Sequence, residues 1–475
     1  MNTGIYRAFL SRNIKLGSIP PYIYAYPTRA SYRPLHRSWT INEIWKADEQ
    51  HSINDLNLYI HVPFCRYKCG FCNLYTVTSS DQSLYSAYID AICKQLELSR
   101  HIIEKRNLRT IYIGGGTPSL LDERDFQKIF RKISQIYPNW KQAVDEVCCE
   151  ATPDSIVDEH RDIASFLVSL GFTRINMGVQ SLDSNELKEA GRARANELTI
   201  LKAFERVRKA RVPNLSTDLI MGFSQQTNES WSRSVDLLAE LGPETISTYF
   251  LTVRPDAWFS RTKTYRYARE PELYKRYDYA ATKLLNSGYI RETNIRYKKP
   301  GIGGYLQKLY QFRGMPYLGI GAGARSYTNT VDYLVGGGER GTADQLREYI
   351  DWVDNGSIPI RSGFEYTDEE RIRKRLVLGL IDLDVCELNM YGYEDLRERF
   401  EPALQAVVDE GLAIRIGSSR YQLTELGFKH RDIISWMFAS EEVTERDREF
   451  YRLIHEAQNR NLTMADLPSS ALVVS

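Results

Sequence analysis

Apolar positions along this chain gather into short alternating or continuous runs divided by longer charged stretches. N-L-Y-I-H-V from Asn57, R-T-I-Y-I ending at Gly114, V-D-E-V-C-C-E at 144–150, R-I-N-M-G-V-Q at 174–180, L-S-T-D-L-I-M-G at 215–222, T-I-S-T-Y-F-L-T-V at 245–253 and Y-L-G-I-G-A-G-A at 317–324 have strand length and β-favouring residues. Between them the spacing predicts helices, the first from Ser83 to Lys105. Repeated strand–helix units imply a parallel sheet, and this many of them predicts a closed or nearly closed barrel over residues 57–330.

The two ends read differently. Residues 1–56 are rich in Tyr, Pro, Arg and Ser, and Y-A-Y-P-T-R-A-S-Y-R-P-L at 24–35 predicts an extended, Pro-punctuated arm that lies on a body. Beyond residue 331, helical patterns at 366–382 and 395–411 precede two alternating segments around a G-S-S turn and then another helix, a winged-helix-like order. The expected architecture is α/β: an arm over 1–56, a partial (β/α) barrel over 57–330, and a helical, winged-helix-like domain over 331–475 closing the open side. The segment 366–440 mixes acidic and basic residues too evenly to track phosphates, which predicts a covering role for it.

Composition narrows the picture. At 475 residues, 43% hydrophobic and 26% charged, the chain has ample core material for more than one domain. Lys and Arg total 62 against 61 Asp and Glu, so no global field favours nucleic acid or an anionic membrane as partner. With no long apolar run and no secretory leader pattern at the start, a soluble cytoplasmic protein is expected. Of seven cysteines, Cys65, Cys69 and Cys72 crowd together while Cys93, Cys148, Cys149 and Cys386 are scattered, which points to metal or redox chemistry, not a disulfide framework.

Y-I-H-V-P-F-C-R-Y-K-C-G-F-C-N-L-Y at 59–75 puts three thiolates at C-x3-C-x2-C on the loop after the first strand. An iron–sulfur cubane has four iron corners, so three cysteines leave one iron open to a substrate or cofactor. A zinc site with His61 as fourth ligand is the alternative, but no second C-x2-C or H-x3-H follows. I-G-G-G-T-P at 113–118 lets backbone approach a ligand closely, and Glu150, Gln180, Arg192 and Asp218 fall at or near strand C-terminal ends, where barrels build their sites.

These motifs, in this order over residues 57–440, resemble the radical S-adenosylmethionine (SAM) superfamily and within it the oxygen-independent coproporphyrinogen III oxidase-like family. The resemblance implies that Cys65, Cys69 and Cys72 hold a [4Fe–4S] cluster whose open iron chelates the amino and carboxylate groups of SAM. An electron from an external donor such as flavodoxin or ferredoxin then cleaves SAM to methionine and a 5′-deoxyadenosyl radical. It further implies SAM contacts from Tyr59, Phe71, Leu74, Gly114, Gly115, Gly116, Thr117, Glu150, Gln180, Arg192 and Asp218, with Phe71 against adenine.

Two departures bear on the subfamily. Leu74 stands where the oxidases carry a further cysteine, and L-Q-K-L-Y-Q at 306–311 stands where the related heme chaperones carry H-N-x-x-Y-W. On these grounds the chain most resembles the class C radical SAM methylases and their cyclopropanating relatives. Those enzymes bind two SAM molecules: one is cleaved, and the radical activates the methyl group of the other for addition to an sp2 carbon. The expected function is therefore methylation or cyclopropanation of a small unsaturated or aromatic natural product, with a helper methyltransferase as a candidate partner. The alternatives are a porphyrinogen oxidative decarboxylase and a heme-binding chaperone. The second SAM is expected at L-G-I-G-A-G-A-R-S, 318–326, on Gly321 and Ala322, where a tight turn is the other reading; late proton handling is assigned to Glu292, Tyr310 and Arg325. Tyr24, Tyr26, Tyr32, Tyr75, Tyr305 and Tyr310, among 31 tyrosines, are candidates to stack on a flat substrate.

Overall fold

The computed structural model describes residues 22–192, 194–252, 257–261, 270–336 and 341–459. Its centre is a nine-stranded sheet built from β1 (Asp55–Val62), β2 (Asn107–Gly115), β3 (Glu146–Ala151), β4 (Arg174–Gln180), β5 (Asn214–Met221), β6 (Thr245–Phe250), β7 (Ile290–Arg291), β8 (Arg296–Lys298) and β9 (Tyr317–Ile320). The order is β7-β8-β6-β5-β4-β3-β2-β1-β9, parallel from β9 through β6 and antiparallel at the β8 and β7 edge. Among the described residues β7 and β9 do not pair, so the barrel is partial.

All seven strand runs read from the sequence are strands. They are legible because they are buried on both faces: β5 is covered from Leu215 through Met221, as a parallel sheet between helices demands. The helix Glu123–Ile136 shows the complementary pattern, burying Phe126, Ile129, Phe130, Ile133 and Ile136 on one stripe. The strand expected over 317–324 stops at Ile320 because Gly321 and Gly323 take positive φ of 105° and 77° and turn the chain. The helix expected from Ser83 to Lys105 divides at Ser99 into Gln82–Leu98 and Arg100–Glu104.

The arm is more structured than its prolines suggest. Thr40 and Glu43 close a reciprocal capping box that starts a helix at Ile41–Asp48. The preceding stretch is strapped to the C-terminal region: the Tyr26 hydroxyl donates to Glu370 at 2.6 Å, Thr28 donates to Asp447 at 2.7 Å, and Ile23 N donates to Asp432 at 3.1 Å. Ile23, Tyr26 and Tyr32 share one apolar cluster with Phe364, Ile372, Leu376 and Trp436. Beyond the barrel, β10 (Arg325–Ser326), β11 (Val331–Val335) and β12 (Ile360–Glu365) form a small antiparallel sheet. The wing is a second one, β13 (Asp382–Asp384), β14 (Ala413–Ile416) and β15 (Arg420–Leu423), beside the helices Asp368–Gly379 and Tyr393–Asp409. No helix among the described residues is long and apolar enough to cross a membrane.

Candidate functional site

At the C-terminal ends of β1 to β5 lies a cleft lined by the cysteine loop, the glycine run after β2, and Glu150, Asn176, Gln180, Arg192 and Asp218. The loop is pinned along its length. Cys65 N donates to Val77 O at 3.1 Å, Val77 N to Pro63 O at 2.8 Å, Gly70 N to Ala190 O at 3.0 Å and Cys72 N to Cys69 O at 3.1 Å. The glycine run is laid directly against it: Gly116 N and Thr117 N donate to Val62 O and Phe64 O at 2.7 and 2.8 Å. A Cβ at Gly116 would stand 2.5 Å from Phe64 O, so only glycine permits this approach.

Cys65, Cys69 and Cys72 all face the cleft. Arg192 Nε donates to Cys69 Sγ at 3.2 Å, and Cys65 Sγ lies 3.6 Å from Thr117 Oγ1. Burial pushes the Cys65 thiol up to about 11 and Cys72 to about 12, so metal binding must displace their protons. His61 is not a ligand: Nδ1 lies 2.9 Å from the Tyr59 hydroxyl, Nε2 lies 2.8 Å from Tyr75 O, and burial lowers the ring to about 4. The zinc alternative thereby loses its fourth donor. Among the described residues no three His, Cys, Asp or Glu converge on one ion, and a cluster with three separate iron corners asks the thiolates to stand apart.

Opposite the thiols stand buried polar groups. Glu150 accepts from the Tyr112 hydroxyl at 2.7 Å and Gly115 N at 2.8 Å, and burial raises its carboxyl. Asp218 Oδ2 accepts from Asn176 Nδ2 at 2.8 Å, while Oδ1 is buried with no partner among the described residues, an acceptor waiting for a ligand donor. Arg192 Nη1 donates to Gly178 O at 2.6 Å, and its guanidinium lies 6.0 Å from the Phe71 ring, which rests near Phe223. Gln180 holds φ at 72° where β4 and β5 lose register, so backbone strain and a bulge aim its side chain inward. Three thiols, an orphaned carboxylate oxygen, a second carboxylate, a guanidinium and an aromatic face fit an iron–sulfur cluster with one zwitterionic nucleoside beside it.

The remaining expected residues divide. Leu74 lines the cleft, whereas Gly114 lies behind its wall against Tyr112 and Glu150. Tyr59 stacks between Tyr112 and Tyr317 at 6.0 and 5.6 Å, one layer below. Gly321 and Ala322 do not line the cleft: their N–H groups donate to Gln95 Oε1 at 2.8 Å and the Tyr88 hydroxyl at 3.1 Å, and the turn packs on the helix Gln82–Leu98. Glu292 is also outside the cleft, held by Arg296 at 3.3 Å and Tyr305 N at 3.2 Å. Tyr310 donates to Asp145 at 2.8 Å, at the N-terminal end of β3 and so at the far end of the barrel from the cleft. Arg325 lies instead among tyrosines with Lys308, a residue that sequence reasoning passed over. Asn176, in the R-I-N-M-G-V-Q run, was missed as well; its side chain falls on the same face of β4 as Gly178 and Gln180, which alternation along that strand could have flagged.

Residues 59–238 match the family model described as the radical SAM superfamily. The chain is 30% identical to the heme chaperone HemW of Buchnera aphidicola subsp. Schizaphis graminum over 58% of its own length and 71% of that protein. It is 22% identical to the oxygen-independent coproporphyrinogen III oxidase of Helicobacter pylori strain J99, over 86% of this chain and 91% of that one. In fold it is similar to the coproporphyrinogen III oxidase HemN of Escherichia coli, with a TM-score of 0.73 and 20% identity over 89% of this chain and 99% of that one. These relatives overturn the expected methylation or cyclopropanation and its enzyme class: Leu74 and the 306–311 stretch are divergences within this group, not marks of another. The second SAM molecule, specific to that reading, has no support among these relatives.

Proposed function

Because this chain belongs to the radical SAM superfamily, in the family that holds the heme chaperone HemW and the oxygen-independent coproporphyrinogen III oxidases, we propose that it binds one [4Fe–4S] cluster and one SAM in the cleft and oxidatively decarboxylates a propionate-bearing tetrapyrrole. The observation that carries the choice of an oxidase is the extent of the match. The oxidase relative aligns over 86% of the chain, against 58% for the Buchnera chaperone, and in this structure the arm is hydrogen-bonded onto the C-terminal region beside the barrel.

In this reading Cys65, Cys69 and Cys72 hold the cluster, which leaves one iron free of protein ligands. When bound, the cofactors would supply one electron to cleave SAM and a radical to take one hydrogen atom from a propionate side chain; carbon dioxide would then leave as the vinyl group forms, with the remaining electron passing to an external one-electron acceptor. Arg192 takes the carboxylate of SAM with its planar fork, Glu150 its ammonium group, and Asp218 Oδ1 a ribose hydroxyl. Phe71 offers its face to adenine, and Gly115 and Gly116 let backbone reach the ligand. An external flavodoxin or ferredoxin delivers the electron.

Anaerobic incubation of the reconstituted protein with SAM, a reductant and coproporphyrinogen III tests this. Carbon dioxide, 5′-deoxyadenosine and a vinyl-bearing product are expected. Tight heme binding with no decarboxylation supports the second reading, a heme chaperone, which the higher identity to HemW favours. If the protein neither decarboxylates coproporphyrinogen III nor binds heme, the tetrapyrrole reading falls.

A further inference from the structure

Inside the barrel, one tyrosine layer away from the cleft, four cations converge. Tyr112, whose hydroxyl holds Glu150, stacks on Tyr305 at 5.4 Å, and the Arg296 guanidinium lies 4.6 Å from the Tyr305 ring. Lys308 Nζ and the Arg325 guanidinium lie 5.9 and 5.7 Å from the Tyr24 ring of the arm, and Lys308 and Arg431 share Phe312 at 5.8 and 5.1 Å. Tyr22, Tyr24, Tyr59, Tyr249, Tyr305, Lys308 and Arg325 all keep some accessible surface although they lie in the interior, so they line a space instead of filling one.

The charges there do not balance. Arg296 pairs with Glu292 at 3.3 Å and Arg431 with Asp432 at 2.7 Å. Among the described residues Lys308 has a hydrogen bond to Gln311 Oε1 at 2.7 Å, and Arg325 one to the Tyr24 hydroxyl at 3.0 Å, but neither has a carboxylate partner. Arg325 Nε and Nη2 are buried with no carboxylate beside them among the described residues, and the guanidinium lies 4.7 and 5.2 Å from the Tyr32 and Tyr327 rings. Burial, then Arg296, Arg325 and Arg431, push Lys308 down to about 7, with Tyr24 opposing them. Two buried cations without anions are costly unless a ligand brings the charge.

We propose that Lys308 and Arg325, with the Tyr24 hydroxyl, form a receptor for one carboxylate of the substrate. Arg325 offers two adjacent N–H donors in a fork suited to a carboxylate, and Lys308, beside the same Tyr24 ring, adds a third. The arm completes the receptor, so a bound carboxylate also holds the arm down. The proposal rests on the tetrapyrrole reading only for the frame that carries the carboxylate.

Two probes separate the claims. Full-length protein carrying ¹³C at the lysine ε positions is titrated with sodium propionate against sodium chloride at matched ionic strength; the Lys308 resonance is identified by its absence in Lys308→Arg, which keeps the charge. A propionate-specific shift of that resonance toward the protonated amine is expected, and no shift overturns the receptor. Coproporphyrin III and its tetramethyl ester are then titrated by fluorescence. Lys308→Met and Arg325→Gln should each weaken coproporphyrin III at least about tenfold and leave the ester unchanged. Equal binding to wild type and variants overturns the receptor and spares the tetrapyrrole reading. A propionate shift with no coproporphyrin binding does the reverse.

Discussion

The cleft and the cationic space are separated by a single layer of tyrosines, yet they are finished to different degrees. In the cleft, Glu150 and Arg192 are already fixed by hydrogen bonds to Tyr112, Gly115, Gly178 and Cys69 while keeping capacity for a ligand, and Asp218 Oδ1 is an acceptor with no partner among the described residues. In the cationic space Lys308 and Arg325 have no carboxylate among the described residues. The difference separates two tasks. A cofactor site gains from groups held rigidly before binding, whereas a site that stores uncompensated charge gives up stability until its ligand arrives.

The largest effects should come from the cleft. Replacing Cys65, Cys69 or Cys72 by Ala removes one of three iron donors, so the brown iron–sulfur absorption and 5′-deoxyadenosine formation should fall to background. Coproporphyrin III binding should survive within about twofold, because each substitution lies a tyrosine layer away from Lys308. A triad variant that keeps a full cluster and cleaves SAM would remove that cysteine from the assignment. Asp218→Ala comes next: the cluster should remain, and SAM affinity in equilibrium dialysis should drop roughly tenfold, the worth of one hydrogen bond to a charged acceptor.

The unequal finish also explains what was legible in the sequence. The cleft's chemistry is contiguous: three cysteines in one loop, three glycines after one strand, and single polar residues at the ends of strands whose burial on both faces makes them easy to read. The cationic space is assembled from an arm, β8, the helix Leu306–Phe312, β10 and a C-terminal helix, so no local pattern announces it. β7 and β8, at two and three residues, are too short to show a period. Reading Leu74 and residues 306–311 as subfamily markers failed because, among relatives only 22–30% identical, individual positions drift while the fold persists.

The third prediction concerns stability. Lys308 has a folded pKa of about 7, below its unfolded value of roughly 10.4, so between those limits the unfolded chain binds the extra proton. Stability without ligand should therefore rise as pH climbs from about 7 toward 10. Lys308→Met should flatten that slope and raise stability near neutral pH by about 1–2 kcal/mol, seen as a higher denaturation midpoint, while weakening coproporphyrin III. A variant less stable than wild type at neutral pH would show that the ammonium is already compensated, and the contrast with the cleft would disappear.

The smallest effect belongs to Tyr310, which shares the short helix Leu306–Phe312 with Lys308. Two residues along a helix is a rotation of roughly 200°, so the two side chains leave on opposite sides. Lys308 enters the cationic space; the Tyr310 hydroxyl donates to Asp145, which also pairs with Arg109 at 2.7 Å. Tyr310→Phe should lose one partly exposed hydrogen bond, about 0.5–1 kcal/mol, and lower the thermal midpoint slightly. SAM cleavage and coproporphyrin III binding should stay within about twofold of wild type, since a chamber that ends at the inner face of this helix does not reach that hydroxyl. A tenfold loss of either would extend the substrate space through the helix to the far end of the barrel, and the boundary drawn here between its inner and outer faces would have to move.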